Sequence, residues 1–449
     1  MDHERLSARV TYRSLLFFFA PLAATPLIIT STHTIIFAAL ARLPLPELSI
    51  AVFSVVRSFT NAIKAPALIS SQISTALADS RPSYRKTTTF SWSLAGFFFV
   101  ILFLLGYTPL GGIFLRTVMG ITEPEAISIA YRAMRITTFL PLVEVLRNSN
   151  RGLLISRQRT LAVSTATAIR FLAIVAFVLI ALRNSTLPGI DVAALSWTGG
   201  IAIEGSIVLA ALIIRYGSPA AATDGVARRN RSEPGYGYIF VFFAPLALMV
   251  ALRAALEPLV QAGIARGAVD ATHALAVFGI TWGLVINVVA PLRMLHNCAM
   301  VFTEGRSDPY FPTVLRFSTA VGLLMSVVLL VLGATPVGYF VLRRLIAVSP
   351  EIAADAHQAL LAFALLPLLW SRREAYWGVM MRRHRTRTIG LGKALNMATV
   401  VAALVLLFGP LRLLAPVDAM LVANSALAGA VSMTLGEAAE TVFVASARR

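Results

Sequence analysis

Charged side chains occur at helical spacing inside otherwise apolar stretches of this sequence. Arg57, Asn61 and Lys64 stand four and three residues apart, so a helix would place all three on one face. A charged side chain at the centre of a bilayer costs roughly 2.5–3.5 kcal/mol on insertion scales, so such residues usually serve a pathway or have a partner. Because no acidic residue is near Arg57 or Lys64 in the sequence, we expect this face to line a water-filled cavity.

Similar polar stripes recur in other apolar stretches. They are Glu144, Arg147, Asn148 and Arg151; Arg253, Glu257 and Gln261; Arg293, His296 and Asn297; Arg372, Arg373 and Glu374; and Glu437 with Glu440. Other interpretations stay open for some of them. Long arginine side chains near a helix end can reach the membrane interface, which applies to Arg151, Arg372 and Arg373. A pair four residues apart, such as Arg253 and Glu257, can simply stabilise its own helix, and acids from neighbouring helices can neutralise the Arg57 face.

The excess of cations in these stripes predicts an anionic ligand. A guanidinium offers a planar fork suited to carboxylate or phosphate, and an ammonium offers a point charge. A cavity for hydrophobic cations would instead carry lone buried acids. We therefore expect a bound anion to be held by Arg57, Asn61, Lys64, Arg147, Arg253, Arg293 and Arg373. The acids expected to act as counter-ions or coupling-ion sites are Glu144, Glu257 and Glu437.

Other kinds of functional site find no support in the sequence. The six histidines show no ligand spacing, and a single cysteine, Cys298, excludes a disulfide framework and a cysteine-based metal site. We find no phosphate-cradling glycine loop, no nucleophile elbow and no basic stripe interleaved with aromatics. We therefore expect no enzyme activity, no metal or other cofactor and no nucleic-acid partner.

The elements that carry these residues are long apolar runs. Hydrophobic residues make up 57% of the 449 residues and charged residues 13%, with a mean hydropathy of +0.78, which fits lipid as the solvent. About twelve runs are long enough to cross roughly 30 Å of hydrocarbon, and none alternates like a barrel strand. The sequence therefore predicts an all-α polytopic membrane protein. The expected span centres are Pro26, Phe59, Phe99, Leu140, Ile174, Ser206, Met249, Ile286, Met325, Leu366, Val401 and Met433.

An internal duplication divides these spans into two sets of six. The hexapeptide Phe18–Ala23 recurs at Phe242–Ala247, and further matches are spaced by about 226 residues in a preserved order. They include Pro141 with Pro367, Arg147 with Arg373, and Gly152 with Gly378. We predict an N-terminal six-helix lobe over 1–216, a cytoplasmic linker over 217–237 and a C-terminal six-helix lobe over 238–449.

The even number of spans in each half predicts that both lobes have the same orientation in the membrane. They would then be related by a pseudo-two-fold axis along the membrane normal, as in transporters whose two lobes rock around a central site. A duplication kept only for structural stability is the alternative.

The distribution of Lys and Arg predicts how the chain is oriented. The loops on one side are rich in Lys and Arg, and those on the other side are poor in them. We therefore expect both termini and the linker to be cytoplasmic, and the protein to lie in the inner (plasma) membrane. The loops on the basic side contain Arg81, Arg85, Lys86, Arg157, Arg159, Arg228, Arg229, Arg231, Arg306, Arg382, Arg383, Arg385, Arg387, Arg448 and Arg449.

Two six-helix lobes with prolines in the first and seventh spans resemble the multidrug/oligosaccharidyl-lipid/polysaccharide flippase superfamily. Within it, the chain most resembles the progressive ankylosis family. The similarity in helix order covers nearly the whole chain, and four short motifs carry it. They are Ala20-Pro21-Leu22-Ala23, Ala244-Pro245-Leu246-Ala247-Leu248, the 363–387 stretch with Pro367 and Gly378 before a basic turn, and Gly436-Glu437 with its small-residue and Val-rich tail.

The resemblance implies export of pyrophosphate, nucleotide or citrate-like anions, in agreement with the cationic stripes. We therefore predict a secondary transporter that exports a polyanion by alternating access through a cationic central cavity. We expect it to be a monomer whose partners are the anionic substrate and membrane lipids. A flippase for a lipid-linked oligosaccharide, a cation-coupled multidrug antiporter and a membrane scaffold without transport activity are the alternatives.

Overall fold

A computed structural model describes residues 10–157, 159–183, 187–224, 233–303, 305–383 and 386–447, and over these residues it contains helices and no strand. The predicted all-α class is confirmed. The first ten α-helices of the described residues are α1 (Tyr12–Leu40), α2 (Pro46–Lys64), α3 (Ser70–Leu77), α4 (Arg81–Tyr107), α5 (Leu110–Thr117), α6 (Pro124–Thr137), α7 (Leu140–Ser156), α8 (Thr160–Arg183), α9 (Gly189–Tyr216) and α10 (Tyr236–Gly267). They are followed by α11 (Ala271–Val289), α12 (Leu295–Phe302), α13 (Phe311–Ala334), α14 (Pro336–Phe340), α15 (Pro350–Ala362), α16 (Leu366–Arg382), α17 (Thr386–Phe408), α18 (Ala415–Ala423) and α19 (Ala426–Ser446).

Each of the twelve predicted span centres lies on one of these helices. Within the described residues, eight helices are long and apolar enough to cross a membrane, and the bent pair α15–α16 makes a ninth. The second and fourth predicted spans, at α2–α3 and α6–α7, are each divided into shorter helices and carry buried charges. The chain is a multi-pass membrane protein.

Prolines interrupt corresponding helices of the two halves. A five-residue 3₁₀ segment, Ala65–Ile69, joins α2 to α3, and another, Ala290–Met294, joins α11 to α12. The second residue of each segment is a proline, Pro66 or Pro291. Proline lacks a backbone N–H and clashes with the carbonyl four residues earlier, so an α-helix cannot continue through it unchanged.

A second pair of breaks precedes Pro141 and Pro367, which are the second residues of α7 and α16. The axes of α15 and α16 differ by 43° across this break. These breaks fix where α2, α7, α12 and α16 begin or end, and therefore where the polar side chains on these helices lie.

Two glycines 226 residues apart allow helices to cross closely. A Cβ added at Gly152 of α7 would lie 2.5 Å from the carbonyl oxygen of Ser71 in α3. A Cβ at Gly378 of α16 would overlap the carbonyl oxygen of His296 in α12. Each glycine therefore permits a backbone approach that any larger residue would prevent.

The chain forms two compact units. The N-unit consists of residues 35–266 and 270–279, and the C-unit of the described residues within 1–34, 267–269 and 280–449. Almost all of α10 therefore belongs to the N-unit, and α1 up to Thr34 belongs to the C-unit. The boundaries predicted from the duplication, at 216 and 238, stay a prediction.

The start of the predicted linker is tied to the N-unit. The Arg81 guanidinium donates to the Asp224 carboxylate at 2.6 Å, and Arg157 donates to the carbonyls of Ala222 and Asp224. The hydrogen bond from Arg81 lowers the pKa of Asp224, so this contact weakens only as the pH falls through that lowered value. Residues 225–232, with the basic Arg228, Arg229 and Arg231, lie outside the described residues.

Candidate functional site

The N-unit buries five charged side chains that contact one another, which we call the Lys64 cluster: Lys64, Glu144, Arg147, Arg170 and Glu204. Lys64 Nζ donates to Glu144 Oε1 at 2.7 Å. Arg147 bridges the two acids, reaching Glu144 at 2.6 Å and Glu204 at 3.2 Å, and Arg170 reaches Glu204 at 2.8 Å. All five side chains are 1–12% exposed.

Four elements of the N-unit position this cluster. Lys64 is the last residue of α2, directly before the proline-containing 3₁₀ segment. Glu144 and Arg147 are three residues apart on α7 and therefore share a face. Arg170 and Glu204 extend from α8 and α9, two long apolar helices that pack against each other.

The Lys64 cluster carries more positive than negative charge, with three cations facing two carboxylates. Within the described residues, the Nε–H groups of Arg147 and Arg170 are buried and have no acceptor. Both carboxylates also accept a hydrogen bond from an uncharged neighbour: Asn148 donates to Glu144 at 3.0 Å, and Thr167 donates to Glu204 at 2.9 Å. The cluster therefore keeps two buried guanidinium N–H donors to which no described residue gives an acceptor.

A separate ion pair lies earlier on α2. Arg57 donates to Glu257 of α10, with side chains 9% and 17% exposed. One turn further along α10, Gln261 hydrogen-bonds to Ser58 and, at 2.8 Å, to Ser54. The Arg57 face thus has acidic partners in the N-unit: Glu257 for Arg57 and Glu144 for Lys64.

The C-unit buries a second group, the Glu437 cluster: Arg373, Glu374, Lys393, Glu437 and Glu440. Arg373 lies 2.8 Å from Glu374 and 3.7 Å from Glu440, and it donates to Glu437. Lys393 Nζ lies 3.4 Å from Glu437 and 2.8 Å from Glu440. This arrangement brings three acidic side chains around two basic ones.

Aromatic and amide groups complete the Glu437 cluster. The guanidinium carbon of Arg373 lies 4.8 Å from the ring centre of Trp370 and 4.6 Å from that of Trp377. Such contacts with aromatic faces stabilise a cation. Trp370 Nε1 donates to Glu374 at 2.9 Å, and His296 Nδ1 lies 2.9 Å from the same carboxylate. Arg373 is only 1% exposed.

The two clusters follow one plan at equivalent positions of the duplication. Arg147 and Arg373 are 226 residues apart. Each contacts one carboxylate on its own helix, Glu144 or Glu374, and a second on a later helix, Glu204 of α9 or Glu437 of α19. The donors to that second carboxylate also stand at equivalent positions: Thr167 and Arg170 on α8 donate to Glu204, and Lys393 and Asn396 on α17 donate to Glu437. The same framework therefore carries a cationic excess in the N-unit and an additional acid in the C-unit.

The remaining predicted site residues lie outside these contacts or at their margins. Asn61 of α2 is half-buried, and Arg253 of α10 is exposed. Arg293, in the Ala290–Met294 segment, is half-buried with its guanidinium carbon 5.6 Å from the Trp370 ring centre. The structure thus brings Lys64, Glu144 and Arg147 together in one unit. It brings Arg373 and Glu437 together in the other.

Sequence reasoning missed four residues of this arrangement: Arg170, Glu204, Lys393 and Asn396. The signal that could have found them is a charged or polar residue in the middle of a long apolar span, because burying such a side chain in the bilayer is costly. Arg170 and Glu204 each interrupt an apolar run, and Lys393 and Asn396 share the spacing of Thr167 and Arg170. The offset of 226 residues pairs Thr167 with Lys393 and Arg170 with Asn396.

An apolar cleft of about 260 Å³ lies beside the Lys64 cluster, between α8 and α9. Its walls adjoin the cluster, because Glu204 follows the lining residue Ile203, and a Cβ at Gly200 would lie 3.4 Å from Arg170. The cleft is lined by Ala173, Ile174, Phe177, Leu195, Ser196, Gly199, Gly200 and Ile203.

Neither cluster is arranged as a metal centre. Among the residues that the structure describes, no group of three or more His, Cys, Asp or Glu is placed to hold a metal ion. The acids of both clusters are instead occupied by arginine, lysine and amide donors. The chemistry available here is ion pairing, hydrogen bonding and proton transfer.

Comparison with known protein families finds a match in the C-terminal half. A family model described as progressive ankylosis protein (ANKH) matches residues 228–436. This range covers α10 to α18 and the first half of α19, including Arg373, Lys393 and the final matched residue Gly436, next to Glu437.

Similar solved structures cover nearly the whole chain. An inward-facing multidrug resistance MATE family transporter of the MOP superfamily has a TM-score of 0.69 at 12% identity, covering 92% of both chains. The lipid II flippase MurJ has a TM-score of 0.67 at 9% identity, covering 94% of this chain and 86% of its own. The MATE multidrug transporter DinF-BH has a TM-score of 0.63 at 12% identity, with 97% and 96% covered. The resemblance seen in the sequence is thereby confirmed: this chain has the fold of the multidrug/oligosaccharidyl-lipid/polysaccharide flippase superfamily, and its C-terminal half is similar to the progressive ankylosis family.

Proposed function

We propose that this chain is a secondary transporter that exports a small polyanion of the pyrophosphate, nucleotide or citrate class by alternating access. The observation that supports this proposal is the charge balance of the Lys64 cluster, in which three cations face two carboxylates. Each cation has an acidic partner, but the cluster keeps a net positive charge in a buried site, and a bound anion would offset that excess. The resemblance to the progressive ankylosis family implies the same class of substrate.

The hydrogen-bonding capacity of the cluster suits an anion with several oxygens. Arg147 and Arg170 each have a buried Nε–H without an acceptor among the described residues. Charge-assisted hydrogen bonds from guanidinium groups to phosphate or carboxylate oxygens are among the strongest in proteins. Two arginines on different helices, α7 and α8, can therefore bind two oxygens of one substrate.

Purified protein in proteoliposomes should take up labelled pyrophosphate, citrate or ATP, and the Arg147→Lys variant should show a weaker apparent affinity. Lysine keeps the charge but loses the planar fork, so we expect KM to rise about tenfold, which corresponds to losing about 1.4 kcal/mol of binding. The measurement is initial uptake rate against anion concentration, with thermal unfolding in detergent to verify folding.

The matched control is Arg132→Lys. Arg132 pairs with Asp191 in the same unit, but its side chain is 49% exposed and does not belong to the Lys64 cluster. We expect its KM to equal that of the unmodified protein. A folded protein that moves none of the three anions, or an unchanged KM for Arg147→Lys, would contradict the proposal.

The apolar cleft favours a second candidate, a flippase for a lipid whose head group carries phosphate. In this alternative, the lipid tail would lie in the cleft between α8 and α9, and the phosphate would lie near Arg170. Arg170 is next to the cleft, because a Cβ added at the lining residue Gly200 would lie 3.4 Å from its Cγ. Buried apolar surface gives about 25 cal/mol per Å², so a long tail would contribute much of the affinity.

Filling the cleft separates the two candidates. Gly199 lines it, and a Cβ there would meet no atom within 4 Å, so Gly199→Leu should fold while it obstructs a lipid tail. A soluble-anion transporter should keep its uptake rate, whereas a lipid flippase should lose flipping of a fluorescent polyprenyl-phosphate lipid. Gly96→Leu on α4 is the control, since that position is equally open.

We further propose that the protein acts as a monomer in the inner membrane with both termini and the linker in the cytoplasm. The support is the concentration of Lys and Arg in one set of loops, including Arg81, Arg85 and Lys86 at the start of α4. Labelling of single cysteines introduced at Arg85 and at Glu125 in intact cells would test the orientation. Only the second should react with an impermeant thiol reagent.

A further inference from the structure

Arg151 of α7 is a half-buried arginine that makes no ion pair or hydrogen bond with any residue that the structure describes. It stands four residues after Arg147, so the two side chains share a face of the helix, with Cβ atoms about 5–6 Å apart. Exposure rises along this face, from 3% for the Glu144 side chain to 12% for Arg147 and a half-buried Arg151. Arg151 therefore extends the charged face of the Lys64 cluster towards the end of α7.

The acids near Arg151 are already paired with other cations. Arg151 is within electrostatic range of Glu144 and Glu204, but each of these acids is held by two closer cations of the Lys64 cluster. Arg151 therefore brings a fourth cation to a group with two carboxylates, and the excess rises from one positive charge to two. A ligand with two anionic groups can balance this excess, whereas a ligand with one such group leaves part of it in place.

The guanidinium groups around this face lie at two depths. Arg147 and Arg170 are the deeper pair, since their Nη1 atoms lie 3.2 and 2.8 Å from the same oxygen, Glu204 Oε2. Each of the two keeps a buried Nε–H to which the described part of the chain offers no acceptor. Arg151 stands one helical turn further along α7 and is more exposed. The arrangement thus provides separate donors for two ends of one ligand.

We propose that Arg151 is an outer subsite for the second anionic group of the ligand, while Arg147 and Arg170 hold the first, an assignment that rests on the function proposed above. The substrate is then an anion with two or more charged groups, such as a diphosphate or a tricarboxylate. An anion with a single group, such as orthophosphate or acetate, binds the deeper pair alone and leaves Arg151 without a partner. Arg151 therefore selects pyrophosphate over orthophosphate.

Binding to the purified full-length protein in detergent tests this subsite without any transport. Calorimetric titration gives the Kd of inorganic pyrophosphate and of orthophosphate. We expect Arg151→Gln to raise the Kd of pyrophosphate about tenfold and to leave the Kd of orthophosphate unchanged. Arg151→Lys keeps the charge without the planar fork and should fall between the two proteins. The matched control is Arg215→Gln, which changes an exposed arginine near the end of α9, a helix packed against α7, and should alter neither Kd.

The ratio of the two Kd values decides the outcome. An arginine that only reaches the membrane interface would leave both values unchanged in Arg151→Gln, and a general effect of its charge would raise both equally. Either result would overturn the subsite, as would an unmodified protein that binds neither anion or prefers orthophosphate. Should Arg151→Gln fail to fold, the ratio in Arg151→Lys decides in the same way.

Uptake into proteoliposomes separates this subsite from the proposed function. If Arg151→Gln loses the preference for pyrophosphate but the unmodified protein moves no anion, the transport function fails and the subsite stands. If the unmodified protein transports pyrophosphate and Arg151→Gln retains the full preference over orthophosphate, the subsite fails and the transport function stands.

Discussion

The Glu144→Gln variant is expected to lose about 3–5 kcal/mol of unfolding free energy, because it leaves a buried cation without its partner. Lys64 is 3% exposed and has Glu144 as its ion-pair partner at 2.7 Å. The same substitution also removes the carboxylate that Arg147 contacts at 2.6 Å. Thermal unfolding of the purified protein in detergent should therefore shift strongly to lower temperature.

A double variant separates charge burial from a general packing defect. Lys64→Met combined with Glu144→Gln removes the stranded ammonium, so we expect it to recover part of the lost stability, since apolar replacements of buried ion pairs are often tolerated. Glu125→Gln on α6 is the control, because Glu125 is exposed. If Glu144→Gln unfolds at the same temperature as this control, the Lys64 cluster does not have the energetic role assigned to it.

The second large effect is expected at the helix crossing made by Gly378. A valine there would force its Cβ into the His296 carbonyl and within 2.7 Å of the Ala299 Cβ. Overpacking of this kind usually costs about 1–3 kcal/mol, and here the backbone itself obstructs relaxation. The equivalent Gly152→Val should behave similarly against Ser71 and Ser74. Unfolding temperature and the yield of monodisperse protein are the measurements.

Gly96→Ala provides the matched control for both glycine variants. It is a glycine inside a long apolar helix, α4, but a Cβ there would meet nothing within 4 Å. We expect no loss of stability, since alanine is the better helix former. Equal losses for Gly96→Ala and Gly378→Val would show that glycine itself, and not the close crossing, sets the stability.

Helix order and helix breaks followed from local properties of the sequence. Apolar runs of sufficient length predicted the twelve helical centres, and the absent N–H of proline explains the breaks at Pro66, Pro141, Pro291 and Pro367. The duplication was visible because equivalent positions keep the same residue types. The same offset pairs Gly152 with Gly378, and both glycines make close helix crossings in the structure.

The buried charges show where local reasoning ended. Arg57 and Lys64 were predicted to share a face, but their partners Glu257 and Glu144 are distant in sequence. Glu204 is the one charged residue in the apolar middle of α9, and Lys393 has only the uncharged Asn396 one turn later, so no charged stripe marked either of them. Which acid meets which cation depends on how each helix is rotated and packed against its neighbours.

The sequence by itself determined the solvent of this protein, the positions of its helices and the duplication, because each depends on composition or on the geometry of a few consecutive residues. Only the tertiary structure decided that the two equivalent clusters differ, with surplus cations around Arg147 and surplus acids around Arg373. The physical reason is that electrostatic energy depends on distances of a few ångströms between side chains. In this chain those distances join helices that lie far apart in the sequence.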